Sequence, residues 1–304
     1  MSLAAAMDEA ALRLLSLVGP PLPYPFDDAG RRWIEYRPRT RPGVSLSALD
    51  PAARKAAFQL LATGLRDHAY AQALSIVSLE EVLDRSESFA RGRHLLDYWV
   101  SVFGTPGSDA PWSWRFEGHH LSVSMTVVGS AVSPAPVFFG ANPARVAYGG
   151  HTVSRPLAPE EDVALALLAS LSPTERSLAV VSDAPPPDIA SGTSEVAGFL
   201  TPAGVSATSL NPAAGALLAQ LVEVYLDRLP ESLAEDLSPS LESLRFAWSG
   251  PERPGVPAYY RIQAEDLLIE YDNTAGGNHA HTVLRRPSSD FGADLLAAHR
   301  RAYH

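Results

Sequence analysis

From Trp112 onwards, apolar and polar side chains alternate along the chain. This pattern restricts the possible folds of the chain more than any other feature of the sequence. From Trp112 to Glu117 aromatic residues alternate with polar ones, and after Gly118-His119 the alternation resumes and continues to Val127. Side chains that alternate in this way lie on opposite faces of a β-strand. Two such runs joined by a short glycine-containing turn predict a β-hairpin with one apolar and one polar face.

The first hundred residues are instead typical of helices. Leu and Ala recur at helical spacing over residues 3–18, and Asp50-Pro51 is typical of a helix N-terminus. Ser78 followed by Glu81 predicts a capping box at the start of another helix. A further helix is predicted over residues 92–103, ending at the glycine that follows.

Helical and strand-like stretches then follow one another in blocks. We predict helices over residues 159–171, 172–181, 212–229, 231–244 and 292–302. We predict strands over residues 244–249, 258–263, 267–272 and 279–286. Residues 183–211, rich in Pro, Gly, Ser and Thr, are predicted to form a long surface loop, and such loops often serve as lids or binding loops.

This block arrangement favours an α+β fold over a doubly wound sheet. We predict an antiparallel β-sheet built from hairpins and covered by helices, with a mainly helical N-terminal third. The length of 304 residues allows one large domain or two ordinary ones. We predict that residues 1–110 are mainly helical and that residues 111–304 hold the sheet, further helices and the functional site.

One hairpin pattern occurs twice in the sequence. Residues 114–118 (WRFEG) are followed by Leu121 and Val123, and residues 260–264 (YRIQA) are followed by Leu267 and Ile269 at the same offsets. Hairpins of similar register can converge on such a pattern. An ancient duplication that placed two equivalent hairpins around one site is the alternative, and the sequence leaves both open.

The composition excludes several classes of function. The chain has no cysteine, which rules out disulfides, zinc–thiolate sites, iron–sulfur clusters and cysteine nucleophiles. A formal net charge of −10 disfavours nucleic acid or an anionic membrane as a partner. Asp8 and Glu9 precede the N-terminal apolar stretch, which is the reverse of a secretory signal, so we expect a cytoplasmic protein.

Histidines and carboxylates gather in two places. The first cluster is Glu117-Gly118-His119-His120 at the tip of the predicted hairpin, and the second is Glu270 and Asp272 followed by His279 and His281. On paired strands the two carboxylates and the two imidazoles of the second cluster can share one face. Such a face can hold a divalent metal ion, which we expect to be Zn, Fe or Mn, or it can form a hydrogen-bonded polar network.

Each candidate residue has a predicted role. The predicted metal ligands are His119, His120, Glu270, His279 and His281. The predicted catalytic residues are Glu117, Arg115 and Asp272. The predicted substrate-binding residues are Arg261, Arg285 and Asn142. Two questions stay open. The first is which of the two adjacent histidines binds the metal, and His120 is favoured because it shares a face with Glu117. The second is whether the arginines bind an anionic substrate or pair with nearby carboxylates.

Several sequence blocks resemble the bacterial domain-of-unknown-function family 3500. They are residues 101–104 (SVFG), 114–122 (WRFEGHHLS), 139–143 (FGANP), 155–157 (RPL), 246–248 (FAW), 260–263 (YRIQ), 269–273 (IEYDN), 279–281 (HAH) and 290–292 (DFG). The resemblance spans about residues 32–299. It implies one continuous domain, which we predict to cover residues 1–304. It also suggests that the two histidine–carboxylate clusters belong together.

These observations support three hypotheses about function. The leading one is a metal-dependent hydrolase that acts on a small, anionic substrate, in which Glu117 or Asp272 accepts a proton from a metal-activated water. The second uses the same site in a non-haem iron or copper oxygenase. The third is a non-catalytic protein that binds a small ligand. We expect a small-molecule substrate, no nucleic acid and no membrane partner, and leave a homodimer open.

Overall fold

One large, mostly antiparallel sheet organises the protein. The computed structural model describes residues 1–198 and 200–303. Side chains are described for residues 1–198 and 200–301. The strands are β1 (Val44–Ser45), β2 (Tyr98–Phe103), β3 (Trp112–Gly118), β4 (Leu121–Val128), β5 (Ala131–Ala141), β6 (Val146–Tyr148), β7 (His151–Ser154), β8 (Val180–Ser182), β9 (Val205–Ser206), β10 (Arg245–Ser249), β11 (Tyr259–Ala264), β12 (Leu267–Asp272) and β13 (Ala280–Arg285). The helices are α1 (Leu3–Leu17), α2 (Pro51–Thr63), α3 (Asp67–Ser86), α4 (Ala158–Ser170), α5 (Pro173–Ala179), α6 (Pro212–Leu226), α7 (Glu231–Leu237) and α8 (Ala293–Tyr303).

The strand order places β5 and β13 at the centre of the sheet. The order is β1-β2-β3-β4-β5-β13-β12-β11-β10-β8, with β9 also paired to β10. All neighbours are antiparallel except β10 and β8. The strands β6 and β7 form a separate small hairpin. This architecture confirms the predicted α+β class and the predicted hairpin of β3 and β4.

The two faces of the sheet bury different residues. One face carries alternate apolar side chains, among them Phe116, Val123 and Leu284, and joins the helices in the main hydrophobic core. The opposite face is more polar and carries a small second cluster that joins the sheet to two loops. That cluster contains Ile34, Tyr36, Phe138, Ile189 and Val283. It lies over the two central strands.

The sheet is built from two similar halves. The meander β2–β5 and the meander β10–β13 meet where β5 pairs with β13. Each meander is flanked by a two-residue strand, β1 or β9. In both cases a short 3₁₀ turn and a helix that begins with proline, α2 or α6, follow that strand. The matching segments read GVSLSALDPAA over residues 43–53 and GVSATSLNPAA over residues 204–214. Asp50 and Asn211 cap the two helices in the same way. This symmetry favours duplication as the origin of the repeated hairpin pattern.

Several local predictions were wrong. Residues 98–103 of the predicted 92–103 helix form β2, because Tyr98, Val100 and Val102 alternate onto the core face. Ser78 does not begin a helix, since α3 runs through it. The sequence prediction also missed β5 and overlooked β9 inside the 183–211 loop. The single domain stays a prediction. In the part of the chain that is described, no helix has the length and apolarity to cross a bilayer.

Candidate metal centre

A tight turn between β3 and β4 presents two adjacent histidines. His120 has a φ of 64°, a left-handed conformation that few side chains adopt. Its backbone is fixed on both sides, because its N–H donates to the carbonyl of Tyr36 at 3.0 Å and its carbonyl accepts from Gly140 N at 2.7 Å. The hydroxyl of Tyr98 also donates to the carbonyl of His119 at 2.8 Å. The turn is therefore held by the loop that contains Tyr36, by β5 and by β2.

The second pair of histidines lies at the start of β13. His281 lies opposite Gly140 of β5 and opposite Asp272 of β12. The missing side chain of Gly140 makes room for His120, since a Cβ there would lie 2.8 Å from Cδ2 of the His120 ring. The pairing of β5 with β13 thus places the turn between β3 and β4, in the first half, next to the start of β13, in the second half.

Three imidazoles from these segments converge, and we call His120, His279 and His281 the histidine triad. The Nε2 atoms of His120 and His279 are 2.7 Å apart. The ring of His281 lies 5.3 Å from that of His120 and 4.7 Å from that of His279, centroid to centroid. One ring nitrogen from each residue lies within 4.8 Å of the other two.

Two carboxylates orient His281. Its Nδ1–H donates to Asp188 at 2.9 Å and to Asp272 at 3.0 Å. Asp188 is held in turn by the hydroxyl of Tyr36 at 2.9 Å, and Asp272 by the hydroxyl of Thr274 at 3.0 Å. With Nδ1 engaged, Nε2 is the nitrogen of His281 that can act as a ligand. Carboxylates commonly hold ligand histidines in this way.

Burial and neighbouring charges set the protonation of the triad. Burial lowers the pKa of His120 well below its usual range, and the adjacent His119 adds to this. Burial and the neighbouring His281 lower the pKa of His279 to about 4. Burial opposes the charge on His281, but the hydrogen bonds to Asp188 and Asp272 prevail and raise its pKa to about 9. Two of the three imidazoles are therefore neutral at pH 7, the form that binds metals.

His119 forms a separate pair with a carboxylate of helix α3. Its Nδ1–H donates to Glu80 at 2.5 Å, and both side chains are nearly fully buried. Burial lowers the pKa of His119, and the bond to Glu80 only partly offsets this. The rings of His119 and His120 are 3.7 Å apart, centroid to centroid. The pair therefore stands directly beside the triad.

Three groups of side chains could hold a metal ion among the described residues. They are the histidine triad, the group Glu80, His119 and His120, and the group Asp188, Asp272 and His281. In the second group, Arg93 lies 3.8 Å from Glu80 and 3.5 Å from His119, and its positive charge opposes a cation there. In the third group the carboxylates already accept hydrogen bonds. In the triad the Nε2 atoms of His120 and His279 contact each other, and an ion there would displace the proton that they share and one proton of His281. Because no carboxylate or arginine of the described residues occupies the space between them, the triad fits an ion best.

A family model describes most of the chain. The model of a protein family of unknown function, DUF3500, matches residues 5–293. The chain belongs to DUF3500. The matched range contains the whole triad, Glu80, Asp188 and Asp272. No curated protein and no solved structure matches the chain.

Three predicted site residues of this DUF3500 protein lie in other contacts. Glu270 accepts hydrogen bonds from the backbone N–H groups of Ala190 and Ser191 and from the hydroxyl of Tyr259, so it fixes the 183–211 loop to β12. Arg115 donates to Glu117 at 2.7 Å. A second arginine, Arg41, lies 3.8 Å from the same carboxylate. Burial raises the pKa of Glu117, which the two arginines only partly offset. Arg115 also donates to carbonyls of residues 30, 31 and 33.

The three predicted substrate-binding residues are spread over the sheet. Arg261 donates to the carbonyl of Thr201 at 2.8 Å, and Arg285, fully buried, pairs with Asp290 at 2.7 Å. Arg285 thus pairs with a carboxylate, the alternative that the sequence left open, whereas Arg261 contacts a backbone carbonyl. Asn142 directly follows Ala141, which pairs with Ala280 beside the triad. Of the three, Asn142 is the one next to the candidate metal centre.

Sequence reasoning missed Glu80, Asp188 and Gly140. A signal for Glu80 was present, since it falls at helical spacing among the buried residues Ile76, Val77 and Leu83. A carboxylate on the buried face of a DUF3500 helix requires a partner, and the partner is His119. Asp188 lies in a loop and carries no local pattern that points to His281.

Proposed function

We propose that this DUF3500 protein is a metal-dependent hydrolase that acts on a small anionic substrate, with the metal ion held by His120, His279 and His281. The observation that supports it is the convergence of three imidazoles from two distant segments, one buried and two half-buried, with two Nε2 atoms 2.7 Å apart. At most one hydrogen bond can join two neutral imidazoles. A third ring nitrogen, from His281, lies within 4.8 Å of both. A shared cation accounts for all three.

The donor set suits zinc. Tetrahedral zinc with histidine ligands at about 2.0–2.1 Å separates their nitrogens by roughly 3.3 Å. One pair of ring nitrogens in the triad is 2.7 Å apart, and all three lie within 4.8 Å of one another, so small shifts of the rings would reach that separation. Three histidines with an open fourth position are typical of catalytic zinc. The triad contains no carboxylate, which disfavours the two-histidine, one-carboxylate arrangement of non-haem iron oxygenases.

The surrounding residues supply positioning and proton transfer. A divalent ion at the triad would activate water as a nucleophile and polarise a carbonyl or phosphoryl oxygen. Asp188 and Asp272 hold the His281 ring and offset part of the added charge. His119 bonds Glu80 through Nδ1, so its Nε2 can accept a proton during the reaction and return it to the leaving group. Glu80 stabilises the imidazolium that forms.

Metal binding tests this proposal. Metal-free protein titrated with Co(II) should bind one ion per chain and give the intense visible bands of a tetrahedral site. We expect His279→Ala and His281→Ala to weaken binding by more than about a hundredfold, since each removes a ligand and the loss of a residue behind a ligand already costs 10–100-fold. His151→Ala is the matched control, because His151 is exposed on the separate β6–β7 hairpin. Binding below a tenth of an ion per chain, or equal binding by all variants, would overturn the proposal.

The reaction class is tested separately. We expect the zinc-loaded protein to hydrolyse members of a panel of carboxylated esters, amides and phosphoesters, without oxygen consumption. Strict dependence on Fe(II) together with oxygen uptake would replace the hydrolase with an oxygenase at the same site. The cytoplasmic location expected from the sequence stays a prediction.

A further inference from the structure

An arginine-lined pocket opens beside the candidate metal centre. It has a volume of about 450 Å³ and is bordered by four arginines, Arg39, Arg41, Arg91 and Arg93. Two acidic residues, Glu80 and Asp97, also line it, so the lining carries an excess of positive charge. That excess stands out in a chain whose formal net charge is −10. A cavity with such walls concentrates small anions.

The local backbone brings two of these arginines to the same cavity. Gly92 lies between Arg91 and Arg93 with a φ of 61°, and all three residues border the pocket. A left-handed residue turns the chain sharply, which lets both flanking side chains face the same space. A Cβ on Gly92 would have no atom within 4 Å, so the glycine serves the turn and not close packing.

The outer and inner arginines differ in exposure. The side chains of Arg39 and Arg91 are 51% and 62% exposed and pair with Glu35 and Glu87. Glu35 and Glu87 each have a second arginine partner, Arg37 and Arg93, so both carboxylates stay paired if the two exposed guanidinium groups turn to an incoming anion. Arg93 is 8% exposed and fixed by Glu87 and Glu80 at the inner end. The pocket thus combines two adaptable cations at its mouth with a fixed one inside.

The inner wall connects the pocket to the histidine triad. His119 borders the pocket, and its ring lies 3.7 Å from that of His120, centroid to centroid. Because Nδ1 of His119 donates to Glu80, Nε2 is the ring nitrogen that can contact a ligand. A molecule in the pocket would therefore have an arginine mouth at one end and the Glu80–His119 pair at the other.

We propose that this pocket binds an oxyanion, a carboxylate or a phosphate, through Arg39, Arg91 and Arg93. We further assign that oxyanion to the substrate of the metal centre, an assignment that rests on the proposed function. Arg93 and His119 then place the reacting end of the substrate beside His120. The sequence had assigned this role to Arg261 and Arg285, whose guanidinium groups contact a loop carbonyl and Asp290 instead.

Anion binding to the metal-free protein tests the pocket alone. The indole N–H resonance of Trp99, which borders the pocket, can be followed by NMR during titration with inorganic phosphate or acetate at constant ionic strength. We expect saturable shifts for Trp99 and none for Trp248, which lies in the main core. Tighter binding of phosphate or of acetate identifies which oxyanion the pocket prefers.

Matched arginine variants define the ligand contacts. We expect Arg39→Gln and Arg91→Gln each to weaken anion binding about tenfold, as the loss of a charge-assisted hydrogen bond does. Arg176→Gln is the control, because Arg176 is a half-exposed arginine paired with Glu252 and not part of the pocket. An unshifted Trp99 at high anion concentration, or unchanged binding by both pocket variants, would overturn the pocket.

Paramagnetic relaxation tests whether the pocket serves the metal centre. With Co(II) bound, the ³¹P signal of pocket-bound phosphate should broaden, and the Arg39→Gln/Arg91→Gln variant should lose the effect while still binding Co(II). Phosphate that binds without broadening would contradict the assignment to the substrate and leave the pocket itself supported. Failure of the wild type to bind Co(II) would instead count against the metal centre. The anion titration of the metal-free protein would then still show whether the pocket binds an oxyanion.

Discussion

Gly140 is the residue that admits His120 to the histidine triad. A β-carbon at this position would lie 2.8 Å from the His120 ring and 3.1 Å from the carbonyl of Ala280. The backbone of Gly140 also donates to the carbonyl of His120 at 2.7 Å. A residue with a side chain there would push the imidazole away from its two partners while leaving the turn in place.

We therefore expect Gly140→Ala to lower Co(II) affinity by roughly tenfold or more, as changes that misplace a ligand do. The matched control is Gly215→Ala, since Gly215 lies in α6 with open space around it. That variant should keep full affinity and gain up to about 1 kcal/mol of stability from the better helix propensity of alanine. Equal metal affinity for both variants would contradict this account of Gly140.

Asp272 and Asp188 bind the same nitrogen of His281 but differ in burial. The Asp272 side chain is 2% exposed, whereas that of Asp188 is 40% exposed. Removal of a carboxylate behind a ligand histidine typically costs 10–100-fold in metal affinity. We expect Asp272→Asn to fall near the upper end of that range and Asp188→Asn near the lower end, measured by Co(II) titration. The reverse order would show that Asp188 is the main support.

The candidate site was partly predictable from single residues. The clustering of His279 and His281 with Asp272 was visible, because strand periodicity puts all three on one face. The choice between the two adjacent histidines was not, because it depends on the left-handed backbone of His120 and on the space left by Gly140. Neither has a signal in the spacing of the sequence. Glu80 could have been found from its position on the buried face of α3.

At the scale of elements, one capping box joins two helices. Glu175 accepts a hydrogen bond from Ser172 N at 2.6 Å at the start of α5, and it also accepts from the backbone and side chain of Asn211, which caps α6. These hydrogen bonds, those from Ser172 first, lower the pKa of Glu175 to about 2. The carboxylate therefore links the N-termini of α5 and α6.

The lowered pKa predicts a pH-dependent contribution to stability. The ionised carboxylate stabilises the fold fully above its ordinary pKa of 4.5, and this stabilisation is lost as the pH falls towards about 2. We expect Glu175→Gln to melt at a lower temperature than the wild type at pH 7, with the difference shrinking between pH 4.5 and 2. Glu235→Gln, an exposed glutamate on α7, should show no difference. A gap that is constant with pH would contradict the prediction.

Most elements were predictable, and the failures have physical causes. Long helices such as α1, α2 and α6 have clear periodicity and caps, so their sequence signals agree with the fold. The strand β5 was missed because Pro134 and Pro136 lie inside it, and proline usually argues against a central strand. The register shift of β4 between Val123 and Met125, opposite these prolines, accommodates them. Only the tertiary structure makes such a strand possible.

At the scale of the whole molecule, the triad lies across the seam between two similar halves. His120 comes from the hairpin turn of the first half, whereas His281 lies in β13 of the second half and His279 directly precedes that strand. The corresponding turn of the second half, between β11 and β12, carries Glu265 and Asp266 in place of histidines. Duplication would account for the similarity of the two halves of the sheet. The histidines break this symmetry, because the β3–β4 turn carries histidines and the corresponding β11–β12 turn does not.

The repeat could have been recognised more fully from the sequence. The matching hairpins were visible, but the stronger match between residues 43–53 and 204–214 was overlooked because the second copy lies in a stretch predicted to be a loop. The pairing of β5 with β13 could not be predicted, since it joins residues about 140 positions apart (141 and 280) and depends on both halves being folded. The site depends on that pairing.

The most direct test of the metal centre is a crystal structure of the zinc-loaded protein with anomalous diffraction recorded at the zinc edge. We predict one anomalous peak at about 2.0–2.1 Å from a nitrogen of each of His120, His279 and His281. A peak coordinated by Glu80 and His119, or by Asp188 and Asp272, or no peak at the triad at full zinc loading, would contradict the account.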